Sequence, residues 1–256
     1  MKLKKLLLIL SLSWPMLSSC APKEPIPVLE YGKMDASEHR NLLIILRGFG
    51  GSHHDFEKNG IINEVRRSKL PFDIVVPAAH FGYYRTETLP ERLKHDIIDP
   101  ARAKGYRDIW LAGFSMGGLG SLFTVRRYPE AVNGVILVSP FLGKGAILTE
   151  IEEAGGVGNW SVPAGREGEW QYDIWAWLKE YNDAPRRFPE IHLGYGDNDP
   201  VIQGGSSLLA RSLRPEDCFT VPGRHDYETF KEIWRRHLEL LGNKLQAMSR
   251  VSASAD

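Results

Sequence analysis

IWLAGFSMGGLGSLF, residues 109–123, decides the fold. Its apolar start has strand character and stops at Gly113, and an apolar pattern at helical spacing follows the pair Gly117-Gly118. One serine stands at the junction, in Gly113-Phe114-Ser115-Met116-Gly117, which matches G-x-S-x-G. A strand that turns sharply into a helix at a serine holds the Oγ clear of the sheet on a strained backbone. Small residues two before and two after it prevent clashes. The helix that begins there also aims its first amides and the positive end of its dipole at the hydroxyl, where negative charge can be held. The competing reading is a glycine-rich turn with an incidental serine, so the rest of the chain must decide.

Working outward, short apolar runs with β-branched residues recur at 41–46, 72–77, 108–112, 134–139, 191–195 and 218–222. Helical patterns lie between and after them, at about 59–69, 88–104, 115–128, 201–213 and 226–241. This alternation predicts βαβ units, hence an α/β fold with a mostly parallel sheet covered by helices on both faces. In the last helical pattern Phe230, Ile233, Trp234, His237, Leu238 and Leu241 share one face. The connection after 134–139 is too long for a plain crossover. It reads as an insertion over about 143–187, carrying Trp160, Trp170, Tyr172, Trp175 and Trp177. Above the carboxyl edge of the sheet it would lie over a site there.

Composition bounds the remaining classes. The 256 residues are 43% hydrophobic and 25% charged, and 32 basic residues balance 32 acidic ones. A chain without net charge or a basic block gives no support to nucleic-acid binding. Residues 1–20 carry Lys2, Lys4 and Lys5, then an apolar run too short to span a membrane, then Leu17-Ser18-Ser19-Cys20. That ending resembles the lipobox of bacterial lipoproteins. It implies lipidation of Cys20, a lipid anchor at the cell envelope, and an outer membrane where one exists. Residues 21–38 then read as a Pro-rich tether, 39–242 as one domain and 243–256 as a frayed tail. The one other cysteine, Cys218, has no partner for an internal disulfide and reads as a small core hydrophobe.

Partners for a serine nucleophile should follow in the order acid, then histidine. GYGDNDPVI (194–202) and VPGRHDYETF (221–230) stand after the next two strands and after the last one. GFSMGG, GDNDPVI and PGRHDY in this order resemble the α/β-hydrolase superfamily, particularly its small carboxylesterase-like and lipase-like members, over about residues 40–241. The resemblance implies Ser115 as nucleophile and His225 as general base. Asp197 and Asp199 both lie in the acidic loop, and the family pattern points to Asp199. His237 shares the apolar face of the final helix and reads as a core histidine. The loop LRGFGGSHHDF (46–56) resembles the family's H-G-x-G-G loop, with Arg47 where many relatives have His. By that match the backbone N–H groups of Phe49 and Met116 form the oxyanion hole.

The implied activity is hydrolysis of carboxylic esters of small or medium size through an acyl-enzyme, with no cofactor. The same triad serves thioesterases, amidases, peptidases and acyltransferases, and a hydrolase-like domain can also bind without catalysis. AAHFGYYRTE (78–87) adds His80, Tyr83 and Tyr84 as pocket candidates, together with Trp160 and Trp175 of the insertion. Gly48-x-Gly50 fails as a dinucleotide fingerprint, because His53 stands where the third glycine is needed. His53 and His54 are adjacent loop histidines without the spacing of metal ligands.

Overall fold

The computed structural model describes residues 24–32, 40–202 and 204–253. The expected signal segment with Cys20, and residues 21–23 and 33–38 of the expected tether, lie outside the described residues.

Seven strands form one sheet: β1 (Val28–Tyr31), β2 (Arg40–Leu46), β3 (Phe72–Pro77), β4 (Tyr106–Phe114), β5 (Gly134–Val138), β6 (Glu190–Gly196) and β7 (Cys218–Val221). Their order is β1-β3-β2-β4-β5-β6-β7, with β1 antiparallel and every other pairing parallel. The period-two alternation of the strands builds two cores. Leu42, Ile44, Leu46, Ile109, Leu111, Val135 and Leu137 face one side, while Leu43, Ile45, Trp110, Ala112, Ile136 and Val138 face the other.

Ten helices flank the sheet among the described residues: α1 (Asp55–Lys58), α2 (Ile61–Ser68), α3 (Phe81–Arg85), α4 (Leu89–Leu93), α5 (Asp99–Ala103), α6 (Met116–Arg127), α7 (Gly145–Glu153), α8 (Trp170–Asp183), α9 (Gly205–Ala210) and α10 (Tyr227–Ala253). α1, α2 and α10 cover one face, and the other face carries α4 to α9.

Three elements differ from the sequence reading. Val28–Tyr31, placed in the tether, pairs with Pro77 to Ile74 as the edge strand β1. Prolines that cannot serve a central strand are tolerated beside an edge. The helix expected over 88–104 is interrupted by a π-helical turn, Lys94–Ile98, just before Pro100. Proline has no N–H to give the carbonyl four residues back, and the wider turn accommodates it. The last helix continues to Ala253, so 242 is not its end.

The insertion supplies α7 and α8, which join the larger core instead of forming a separate layer. Trp175 is fully buried and its indole donates to the Leu142 carbonyl at 2.8 Å.

Candidate active site

β4 ends at Phe114 and α6 begins at Met116, so the turn between them is the single residue Ser115. Its backbone has φ 53° and ψ −118°, a region that a non-glycine residue occupies only under strain. Surrounding bonds hold it there. Ser115 N–H donates to the Val138 carbonyl at 3.0 Å, and the Ser115 carbonyl accepts from Gly118 at 2.9 Å and Phe141 at 3.0 Å.

The neighbouring glycines are needed for close approach. A Cβ on Gly113 would run into the Gly117 carbonyl, and one on Gly117 would run into the Leu46 carbonyl oxygen. Gly118 lies against Pro140, where a Cβ would come within 2.6 Å. The end of β2, the turn at Ser115 and the segment just after β5 are thus locked together.

Two loops from the same sheet edge converge on Ser115. The β6 loop brings Asp199, whose side chain is 0% exposed, and the β7 loop brings His225. Asp199 Oδ2 lies 2.6 Å from His225 Nδ1, and His225 Nε2 lies 2.8 Å from Ser115 Oγ. The other Asp199 oxygen accepts the Val201 N–H at 2.9 Å. Asp197 is exposed and turned elsewhere, accepting from Gly223 N–H at 3.2 Å and from the Asn198 amide at 3.0 Å. Of the two loop carboxylates, Asp199 is the one that meets the histidine.

His225 is fixed on its other side as well. Phe230 stands edge-on to its ring at 4.9 Å. The next residue, Asp226, accepts the Thr229 N–H at 2.9 Å and so caps the start of α10. That bond is the main cause holding the Asp226 carboxyl below its ordinary range.

Gly48 reaches Ser115 from the β2 loop, since a Cβ built on it would lie 3.2 Å from the Ser115 Cβ and 3.7 Å from its Oγ. Phe49 follows it with a side chain 69% exposed, and Met116 is buried at the first position of α6.

Most of the pocket candidates are buried. Trp160, Trp175 and Tyr83 belong to the core, as does the ring of Tyr84, whose buried hydroxyl finds no partner beside Gly120. Burial raises the Tyr84 pKa. A tryptophan-rich insertion buries its rings because they carry the largest apolar area available to it. His80 is exposed and caps α3, its Nδ1 accepting the Gly82 N–H at 3.1 Å.

Sequence reasoning passed over Phe81. It is 50% exposed and stands edge-to-face with Phe49 at 5.4 Å. Its signal was an apolar side chain just after a strand end, which also suits a core residue.

Among the described residues no group of three His, Cys, Asp or Glu side chains could hold a metal ion. Burial pushes the half-buried Cys218 thiol up to about 11, away from thiolate chemistry at neutral pH. No helix among the described residues is long and apolar enough to cross a membrane.

A family model for the alpha/beta hydrolase fold matches residues 41–173, which include the turn at Ser115. The chain belongs to the α/β-hydrolase family. No curated protein matches it. Solved structures of similar fold include three hydrolases. An S-formylglutathione hydrolase from Staphylococcus aureus is 16% identical, with 81% of this chain and 83% of that one covered at a TM-score of 0.59. Fluorophosphonate-binding serine hydrolase F of the same organism is 13% identical, covering 86% and 99% at 0.61. A CIB-like hydrolase from Thermoplasma acidophilum is 19% identical, covering 86% and 97% at 0.56. In this α/β hydrolase the connected Asp199, His225 and Ser115 follow β6, β7 and β4 respectively.

Proposed function

We propose that this α/β hydrolase is a serine esterase that cleaves carboxylic esters bearing an apolar acyl or aryl group. The observation that carries the reading is the unbroken chain from Asp199 through His225 to Ser115, at 2.6 and 2.8 Å. His225 Nε2 takes the Oγ proton as Ser115 attacks the carbonyl carbon, while Asp199 orients the ring and stabilises the imidazolium. The backbone N–H groups of Phe49 and Met116 receive the oxyanion. The imidazolium protonates the departing alkoxide, leaving an acyl-serine that water hydrolyses by the same steps in reverse order.

The likeness in fold to a serine hydrolase that binds fluorophosphonates accords with this reading. The substrate class rests on the rim. Phe49 and Phe81 form an exposed aromatic ledge beside Gly48, which itself abuts Ser115. An ester whose apolar part lies across that ledge removes both surfaces from water.

A series of p-nitrophenyl esters of rising acyl length tests the proposal. Ser115→Ala should lower kcat by about 10⁶-fold, and Asp199→Asn by about 10⁴-fold. Asp197→Asn should stay within about threefold of wild type, because its carboxylate serves the Gly223 N–H and the Asn198 amide and not His225. Phe81→Ala should reduce kcat/KM for long-chain esters by about tenfold and leave the acetate unaffected. Absence of turnover on every ester, with Ser115 unlabelled by a fluorophosphonate, would leave a binding domain as the better reading.

The Lys-rich start, apolar run and Ser-Ser-Cys ending support an exported protein with a lipid on Cys20. Growth of an expressing bacterium on radiolabelled palmitate should label the chain. Label persisting in Cys20→Ala would sink the anchor.

A further inference from the structure

The triad leaves one buried charge beside it unused. Arg47 is 7% exposed, and among the described residues no carboxylate lies within the 4.0 Å of an ion pair. Such a cation is costly to bury. Among the described residues its side chain makes one hydrogen bond, to the chain's own next residue, with Nη1 donating to the Gly48 carbonyl at 3.0 Å.

That carbonyl belongs to the peptide that joins Gly48 to Phe49. The peptide is trans and planar, so its C=O and N–H point in opposite directions. A group that grips the Gly48 oxygen therefore sets the direction of the Phe49 N–H. The loop needs such a restraint. Gly48, Gly50 and Gly51 make its backbone permissive, and Gly50, at φ +73°, has nothing within 4 Å of where a Cβ would stand. Arg47 itself is anchored, because its carbonyl oxygen packs against Gly117 of the nucleophile helix, 2.9 Å from the position of an added Cβ.

We infer that Arg47 is a positioning residue for the oxyanion hole, holding the Gly48–Phe49 peptide by its carbonyl so that the Phe49 N–H faces the developing oxyanion. The guanidinium also polarises that peptide and places positive charge behind it, where negative charge forms. The inference rests on the esterase reading above.

Arg47→Met and Arg47→Lys, each checked for folding by circular dichroism, separate this role from a structural one. The assays are kcat and KM on the best p-nitrophenyl ester and the inhibition constant of phenylboronic acid, which forms a tetrahedral adduct with a reactive serine. Arg47→Met should lose about 100-fold in kcat with KM within about threefold, and phenylboronic acid should weaken in parallel. Arg47→Lys, which restores a positive donor, should recover at least about tenfold of that loss. Should Arg47→Met fail to fold, Arg47→Gln carries the same expectation. A folded, uncharged variant with wild-type kcat and phenylboronic acid affinity overturns the inference while the esterase reading stands. A wild type without turnover or fluorophosphonate labelling overturns both.

Discussion

His225 and His237 both follow the acidic loop in sequence, both lie at or in α10, and they have opposite characters. His225 stands on the loop after β7 with a partner on each ring nitrogen, Asp199 on one side and Ser115 on the other. His237 is 2% exposed within the α10 face, and its Nε2 has no hydrogen-bond partner. Phe219 packs on its ring, and Gly194 lies so close that a Cβ there would come within 2.9 Å of Nε2. Burial pushes the His237 pKa down to about 3, helped by His192 and Arg236 and opposed by a bond with the Leu137 backbone. One imidazole bridges a carboxylate and a hydroxyl, while the other is held neutral. The difference comes from their neighbours and not from residue type.

The largest expected effect breaks the first half of that contrast. His225→Ala should lower kcat by about 10⁶-fold while the melting temperature moves by only a few degrees, because the ring sits at the rim of the site. His237→Leu should do the reverse, leaving kcat within about threefold. A large activity loss in His237→Leu with intact folding would mean that the two histidines are not divided as described.

The smallest effect sharpens the second half and is read in stability against pH. His237 titrates near 6.5 when unfolded and at about 3 when folded, so between those values the unfolded chain binds the extra proton. Its contribution is fully present above pH 6.5 and is lost as pH falls toward 3. Glu190, held down to about 2 chiefly by His192 and further by Lys244, adds a similar loss only below its ordinary value of 4.5. Urea unfolding of wild type should therefore weaken between pH 6.5 and 4.5, and His237→Leu should be flatter in that window while keeping the decline below it. Parallel profiles would show that His237 is not kept neutral by the fold.

Much of this site was legible in the chain. Gly113 and Gly117 frame Ser115 because only residues without a Cβ fit against the Gly117 and Leu46 carbonyls, and such steric demands leave a local pattern. His225 was found by its place after a strand end, since a parallel sheet gathers those ends on one edge, and the same placement left Asp197 and Asp199 for the family resemblance to separate. The pocket candidates were less legible. Trp175 and Tyr83 carry rings that serve a core or a binding surface equally well, and nothing local tells which way they turn. Phe49 and Phe81 are exposed only because their loops end at the rim. β1 escaped because four residues beside prolines carry little periodicity until β3 offers an edge.

The sequence by itself determined where strands stop, where helices start, and which chemical groups stand at those junctions. These are local consequences of side-chain period, glycine and helix entry. Tertiary structure decided which atoms meet. Ser115 and His225 are 110 positions apart, and Asp199 and His225 are 26 apart. They meet because β4, β5, β6 and β7 lie side by side in that order. The contact of Asp199 with His225, the burial of the tryptophans and the grip of Arg47 on its own loop all depend on that packing, because each is a matter of direction in space rather than of residue type.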